Sequence, residues 1–240
     1  MAEKTIKTGN LFAVKLVFLV LFAALFAADV WFVCSGRSAV FDDSVLAFFI
    51  GLRGEALTMF FRVITFCGDQ ATVIIICVVI IALPRRTIVG LPAALMTGIG
   101  AAVQSLIKSI VDRPRPAAEF WLIGETDWMG FPLGTSFPSG HANSSMIFWM
   151  ALAILVGRIF ASKGKPAAAV SLRIIFFIFA FLIGVSRLYL GVHFFTDVFG
   201  GWMLSGILLI VFIMLYDRFW PAGRRAGYKG AASCAAPLRG

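Results

Sequence analysis

Long runs of apolar residues, separated by short polar segments, constrain this chain more than any other feature of its sequence. A helix of about 20 apolar residues crosses the hydrocarbon core of a bilayer, which is roughly 30 Å thick. Six runs of suitable length are predicted as spans, at 11–34, 66–83, 87–108, 141–160, 167–185 and 193–215. The sequence therefore predicts an all-α, polytopic membrane protein with six transmembrane helices.

The composition predicts a single membrane-embedded domain. Hydrophobic residues make up 60% of the 240 residues and charged residues only 14%, whereas soluble domains carry about 25% charged residues. Such a chain cannot cover itself with a water-facing surface, and the spans leave no room for a second, soluble domain. One domain is expected over residues 1–240. Its basic segment 218–240, rich in Gly and Ala, is predicted to be a disordered cytoplasmic tail.

The segment between the first two spans has a mixed pattern. In residues 35–65 apolar side chains recur at helical spacing, with charged residues such as Asp42 and Arg53 between them. This pattern predicts one or two amphipathic helices that lie in the membrane interface and are joined near Gly54. Residues 41–65 are a candidate lateral gate for a lipid that enters from the bilayer.

The distribution of charge sets the predicted orientation. Six spans place both termini on one side, which carries most of the Lys and Arg residues, while the opposite side carries nearly all of the acids. Because Lys and Arg are enriched in cytoplasmic loops, both termini are predicted in the cytoplasm of a multi-pass protein of the plasma or inner membrane. Much of the net charge of +9 is explained by this topology, so no nucleic-acid partner is expected.

The chain has only two histidines, His141 and His193, and both are predicted at the outer ends of spans. A single histidine on an apolar face is usually structural, but two at one depth beside cations favour a reactive site. Asp197 follows His193 by four residues, which on a helix puts its carboxylate beside the ring. The carboxylate would fix the tautomer and leave the other nitrogen as a nucleophile or base. A simple local ion pair is the alternative.

Cationic side chains gather at the same predicted face. Lys108, Arg115 and Arg187 have few acids beside them, and unpaired cations at the edge of a bilayer are costly. A bound phosphate would explain them, because Arg offers paired donors and Lys a point charge. Ser139 and Gly140 open the fourth span, where backbone N–H groups and the helix dipole favour an anion. Ordinary helix capping is the simpler interpretation of these two residues.

Other charges at this face are assigned to structure. Asp112 is a candidate partner of the cations, and Arg113 is a candidate structural partner of an acid. No cluster of carboxylates indicates a catalytic metal, so neither a metal nor a cofactor is expected, and the cations would do the work of a metal ion.

Three motifs in order resemble the signature of the type 2 phosphatidic acid phosphatase family, which shares its site with vanadium haloperoxidases and glucose-6-phosphatase. They are Lys108-x6-Arg115-Pro116, Pro138-Ser139-Gly140-His141 and Ser186-Arg187-x5-His193-x3-Asp197. The motifs span residues 108–197, and the six-span layout extends the likeness over most of the chain.

This resemblance implies a phosphohistidine mechanism without a metal. His193 would attack phosphorus, Asp197 would orient it, and His141 would protonate the leaving oxygen. The phosphoryl oxygens would be held by Lys108, Arg115, Ser139, Gly140 and Arg187. Related bacterial members act on phosphatidylglycerophosphate, phosphatidic acid, undecaprenyl diphosphate or lipid A, and the resemblance does not choose among these.

The sequence thus predicts a membrane lipid phosphatase whose site faces the periplasm or the cell exterior, with a lipid phosphate or diphosphate as its partner. A phosphotransferase on the same site is the first alternative, since only the acceptor of the phosphoryl group differs. A transporter or non-catalytic binder of phosphate lipids is the second. The presence of His193, Asp197 and His141 disfavours it, because binding alone needs no nucleophile. The oligomeric state stays open.

Overall fold

The computed structural model describes residues 2–82, 86–124 and 134–219, and within these residues the regular structure is entirely helical. The α-helices are α1 Ala2–Cys34, α2 Ala39–Gly51, α3 Glu55–Phe66, α4 Gln70–Ala82, α5 Leu91–Val111, α6 Gly140–Ser162, α7 Pro166–Tyr189 and α8 Phe195–Phe219. A π-helical turn, Arg86–Gly90, precedes α5, and a 3-10 turn, Ala118–Phe120, lies between α5 and α6. The predicted all-α class is confirmed.

In the described part of the chain, five helices are long and apolar enough to cross a membrane, at Phe12–Cys34, Ile88–Val111, Gly140–Ser162, Pro166–Tyr189 and Phe195–Phe219. The count reaches six when α2 and α3, which are bent by 118°, are taken as one broken span.

The predicted second span, 66–83, forms a shorter helix in the structure. Helix α4 has 13 residues, about 20 Å at 1.5 Å per residue, and is shorter than a bilayer core. It begins late because the chain turns at residues 67–69. There the Asp69 carboxylate accepts a hydrogen bond from the N–H of Ala71 (3.2 Å) and caps the new helix.

Helix α6 lies at the centre of the bundle and packs against α5, α7 and α8, while α1 packs along α8. Its inward face is completely buried at Ala142, Ile147 and Phe148. The outward faces of other helices expose large apolar side chains: Val17 of α1 is 65% exposed and Val78 of α4 is 64% exposed. A buried centre with an apolar exterior is the arrangement that lipid surroundings require.

The mixed segment forms two helices, α2 and α3, joined near Gly54 as predicted, and the structure shows a bend of 118° between them. Arg53 holds this bend against the end of α7, because its Nη2 donates to the carbonyl of Phe120 (2.6 Å) and its Nε to that of Tyr189 (3.3 Å). The Tyr189 hydroxyl accepts from the N–H of Gly54 (3.0 Å). Gly191 makes room for the junction, since its φ is +76° and a Cβ there would lie 2.2 Å from the carbonyl oxygen of Phe120.

An ion cluster ties α1, α6 and α8 together at the end of the bundle opposite the start of α6. Asp217 accepts from Lys15 (2.9 Å) and from Arg158 (2.7 Å). Because α8 continues to Phe219, residues 218–219 are helical, which corrects the predicted start of the disordered tail. Residues 220–240, the rest of that predicted tail, lie outside the described residues.

Gly201 of α8 faces the start of α6 at short range. A Cβ there would lie 2.9 Å from the carbonyl oxygen of Ser139 and 3.0 Å from the Cβ of Ala142. We expect Gly201→Ala to lower the free energy of unfolding by about 1–3 kcal/mol, because the backbone of α6 must move. Thermal unfolding in detergent measures this. Gly98→Ala is the control, since nothing lies within 4 Å of a Cβ at that position; equal losses in both variants would contradict the expectation.

Candidate active site

The three motif stretches meet at one end of the bundle. They come from the last turn of α5 and the loop after it, the first turn of α6, the last turn of α7, and the α7–α8 turn that leads into α8. The structure brings together all the residues predicted for the site: Lys108, Arg115, Ser139, Gly140, His141, Arg187, His193 and Asp197.

His193 lies in the turn between α7 and α8, not on a helix as the four-residue spacing predicted, because α8 begins only at Phe195. The turn still brings the pair together: Nδ1 lies 3.4 Å from Oδ2 of Asp197 and 3.2 Å from Oγ of Ser136. Nε2 lies 3.0 Å from Nη1 of Arg115. Since arginine can only donate, Nε2 is the acceptor, which assigns the ring proton to Nδ1.

The surroundings of His193 keep its ring neutral. The residue is 2% exposed. Burial, followed by the positive charges of Arg115, Lys108, Arg187 and Arg113, lowers its pKa well below the usual histidine value. A neutral imidazole with its proton on Nδ1 presents a lone pair on Nε2, which is the form that a nucleophile or base needs at neutral pH.

Asp197 is fully buried, and its contacts hold it beside that ring. Oδ1 accepts from Nη1 of Arg113 (2.7 Å). Oδ2 accepts from the hydroxyl of Ser136 and from the N–H of Phe194 (2.8 Å). The carboxylate therefore has a fixed orientation, with Oδ2 directed at Nδ1 of His193.

Arg113, interpreted from the sequence as a structural partner, joins two carboxylates. Nη1 lies 2.7 Å from Oδ1 of Asp197 and Nη2 lies 2.6 Å from Oδ2 of Asp42. Burial disfavours the charged guanidinium, but the two carboxylates outweigh burial and raise the pKa of Arg113 above its usual value. Asp112, the predicted partner of the cations, ends α5 in the left-handed conformation and forms no ion pair with any described residue.

The three cations predicted to bind phosphate have neutral partners. Lys108 donates from Nζ to backbone carbonyls in the loop before α6. Arg187 donates to the Thr65 hydroxyl (2.8 Å), and its buried Nε has no partner among the described residues. Arg115 donates to carbonyl oxygens, and burial lowers its pKa to about 10. No described carboxylate lies within 4.0 Å of any of the three, so the site concentrates positive charge that suits an anion.

The start of α6 is capped as predicted. Oγ of Ser139 accepts from the N–H of Ala142 (3.5 Å). The N–H of Ser139 itself donates to the carbonyl of Asp197 (2.8 Å), so it is not available to a ligand. The N–H groups of Gly140 and His141 find no acceptor among the described residues, which leaves these two as the backbone donors for an anion.

His141 faces both the site and a carboxylate that the sequence did not indicate. Its Nε2 lies 3.8 Å from Oδ1 of Asp69, in the turn before α4. Arg187 lies within electrostatic range of both groups. A Cβ on Gly140 would make only an ordinary contact, 3.5 Å from the Gln104 side chain, so the protein's own packing does not require glycine at this position.

Residues 89–221 match the family model described as the PAP2 superfamily. The chain belongs to the PAP2 superfamily. The matched segment begins in the π-helical turn before α5 and runs past the end of α8, so it contains every residue predicted for the site. Helices α1 to α4 lie outside it.

Two curated proteins are similar to part of this chain. The chain is 35% identical over 137 residues to phosphatidylglycerophosphatase B of Bacillus subtilis, covering 56% of this chain and 61% of that protein. It is 26% identical over 133 residues to the lipid A 1-phosphatase of Rhizobium etli, covering 50% and 52% of the two proteins. The matches thus span between half and two thirds of the length of these curated relatives.

Two crystal structures share the fold. A transmembrane PAP2-type phosphatidylglycerolphosphate phosphatase from Bacillus subtilis superimposes with a TM-score of 0.71 at 27% identity, over 85% of this chain and 96% of that chain. LpxE of Aquifex aeolicus superimposes with a TM-score of 0.52 at 23% identity, over 72% and 95% of the two chains.

Sequence reasoning misses three residues of this candidate site. Ser136 stands just ahead of the Pro138-Ser139-Gly140-His141 motif, and only that adjacency could have indicated a role. Asp42 is 71 residues from Arg113 and belongs to the segment assigned to the interface. Asp69 has no motif around it, so no sequence signal points to its contact with His141.

The side chains at this site suit an anion rather than a metal ion. Among the described residues, no group of three or more His, Cys, Asp or Glu could hold a metal. The side chains that surround Nε2 of His193 are mainly cationic, and such a set repels a metal cation and attracts phosphate.

Proposed function

We propose that this PAP2 protein is an integral membrane lipid phosphatase that hydrolyses a phosphate monoester or diphosphate through a phosphohistidine intermediate. The observation that carries the proposal is the buried, neutral His193. Its Nε2 lies 3.0 Å from Nη1 of Arg115, and its Nδ1 lies 3.4 Å from Oδ2 of Asp197. The names of both curated relatives, phosphatidylglycerophosphatase B and lipid A 1-phosphatase, describe phosphatases that act on lipids.

The first chemical step is attack on phosphorus. Nε2 of His193 forms a bond to phosphorus as the bond from phosphorus to the lipid oxygen breaks. His141 is protonated in the complex, where Asp69 (3.8 Å from its Nε2) and the substrate phosphate supply negative charge. It donates this proton to the lipid oxygen, and the lipid leaves as a neutral alcohol, or as a lipid monophosphate when the substrate is a diphosphate. Asp197 accepts the Nδ1–H bond and stabilises the positive charge that the imidazole gains.

The second step is hydrolysis of the phosphohistidine. His141, now neutral, takes a proton from water as the water oxygen attacks phosphorus. The bond from phosphorus to Nε2 breaks, inorganic phosphate leaves, and both histidines return to their starting protonation states.

The cations act on the phosphoryl group in both steps. We assign Lys108, Arg115 and Arg187 to its equatorial oxygens, together with the backbone N–H groups of Gly140 and His141. Phosphoryl transfer needs mainly positioning and charge stabilisation, which a preorganised set of donors supplies. Ser139 contributes through the cap that sets the first turn of α6.

The site is assigned to the outer face of the plasma or inner membrane, with both termini in the cytoplasm. Support comes from the excess of Lys and Arg on the side of the termini. The candidate substrates are phosphatidylglycerophosphate, phosphatidic acid and undecaprenyl diphosphate, whose phosphates lie at the depth where the spans end.

Phosphate release by the purified protein in detergent tests this function. A panel of these three lipids is assayed with and without EDTA. We expect release of inorganic phosphate from at least one lipid and no loss in EDTA beyond about twofold, because cations rather than a metal hold the phosphoryl group. Activity that EDTA removes and Mg²⁺ restores would contradict the mechanism. Phosphate that appears only on a second lipid would instead identify a phosphotransferase.

A further inference from the structure

Asp42 lies on α2, outside the segment that matches the family model, yet it is fully buried beside the site. Oδ1 accepts from the backbone N–H of Thr196 (3.1 Å), and Oδ2 accepts from the Thr196 hydroxyl (2.8 Å) and from Nη2 of Arg113 (2.6 Å). Thr196 immediately precedes Asp197. Asp42 therefore contacts both the start of α8 and the guanidinium that binds Asp197.

Arg113 divides its two terminal nitrogens between two acids. Nη2 contacts Asp42, and Nη1 contacts Asp197 and the Thr196 hydroxyl. The guanidinium also lies 4.5 Å over the ring of Phe194, and the side chain is only 12% exposed. A planar guanidinium clamped in this way cannot turn to form a bidentate pair with Asp197 alone.

The charges of this cluster do not cancel. Two carboxylates share one guanidinium, so the trio of Asp42, Arg113 and Asp197 carries a net negative charge. A one-to-one pair of Arg113 with Asp197 would be neutral. The extra negative charge matters because the other charged groups that act on His193 are cations, namely Arg115, Lys108 and Arg187. The buried, titratable carboxyl of Asp29 on α1 lies within electrostatic range of the trio and is unchanged in every variant compared below.

We propose that Asp42 is a positioning residue that shares Arg113 with Asp197, and so preserves the negative charge with which Asp197 orients and supports His193. The proposal rests on the proposed function, in which His193 gains positive charge when it takes the phosphoryl group. It also makes α2 part of the catalytic support, whereas the sequence predicted an interfacial segment and a candidate lateral gate.

The test compares Asp42→Asn with Asp43→Asn. Asparagine keeps an acceptor for the N–H of Thr196 but removes the charge, and Asp43 is the exposed neighbour on the same helix. With p-nitrophenyl phosphate as substrate, we expect Asp42→Asn to lower kcat by about 10- to 100-fold, the range found when a group that orients a metal-binding histidine is removed. KM should stay within about twofold, and Asp43→Asn should behave like the wild type.

The pH dependence separates this electrostatic role from simple structural damage. When Asp42 is neutral, Arg113 offsets more of the charge on Asp197, so the pKa of His193 falls further. The acid limb of kcat/KM, where His193 must be deprotonated, then moves to lower pH. Damage to the fold would lower the plateau value of kcat/KM without moving its acid limb.

Arg113→Gln should move the acid limb of kcat/KM in the opposite direction. Removing the guanidinium leaves the negative charge on Asp197 unscreened, so the acid limb should move to higher pH, and this measurement stands even where Asp42→Asn yields no folded protein. Shifts in the same direction, or no shift in either variant, would overturn the proposal. If the wild type and Asp43→Asn release no phosphate from any substrate, the proposed function fails instead.

Discussion

Replacing His193 with alanine is expected to lower kcat for phosphate release by about 10⁴- to 10⁶-fold, the range found when a nucleophile is removed. His193 presents an uncharged, buried lone pair among Arg115, Lys108 and Arg187, and Asp197 lies beside its Nδ1. Without Nε2, no nucleophile remains beside Lys108, Arg115 and Arg187 to take the phosphoryl group. Inorganic phosphate release in detergent, from the best lipid of the panel, measures the loss.

Two further measurements sharpen this expectation. Wild-type protein quenched during turnover of a ³²P-labelled substrate should retain label on the protein, and His193→Ala should retain none. Ser162→Ala, at the far end of α6, is the matched control for expression and folding. Near-normal turnover in His193→Ala, or equal labelling of both proteins, would rule out a phosphohistidine at this position.

Replacing His141 with alanine is expected to give a loss that depends on the leaving group. Proton donation by a positioned side chain contributes about 10²- to 10⁴-fold when the leaving group is a poor one. An alkyl phosphate such as phosphatidic acid needs that proton, whereas p-nitrophenolate leaves without it. The first-turnover release of alcohol should therefore fall at least about tenfold more for the lipid than for the aryl ester.

First-turnover kinetics are needed because His141 is assigned to both steps. In steady state, slow hydrolysis of the phosphohistidine would reduce turnover of both substrates alike. The variant should thus show a burst of p-nitrophenol followed by a slow phase. Equal losses in the first turnover of both substrates would remove His141 from the role of general acid.

The sequence could group the proposed site residues because its signal is local. Lys108 and Arg115 lie seven residues apart, and His193 and Asp197 lie four apart. Hydropathy places these short motifs at span ends on one face. Spans that end at the same face allow their terminal residues to meet, so topology indicated which cations and histidines could form one site. The packing of α6 against α5, α7 and α8 then brings them together.

Predictions that depended on exact helix bounds were less accurate. The four-residue spacing of His193 and Asp197 was taken as helical, but the chain forms a turn at residues 190–194, and Asp197 caps it through the N–H of Phe194. The second span, predicted from 66, begins as α4 at Gln70. Hydropathy indicates which residues avoid water. It does not indicate which carboxylate accepts a hydrogen bond from a backbone N–H and so begins a new helix.

The sequence by itself determined that the chain is a helical membrane protein, where its cations lie, and which histidine has a carboxylate nearby. Only the tertiary structure decided that Arg113 joins Asp42 to Asp197, that Ser136 completes the contacts of the His193 ring, and that Asp69 faces His141. Hydrophobic periodicity encodes burial along one helix at a time. Pairing between buried charges on separate helices depends on how the helices pack, and no periodic signal along the chain records it.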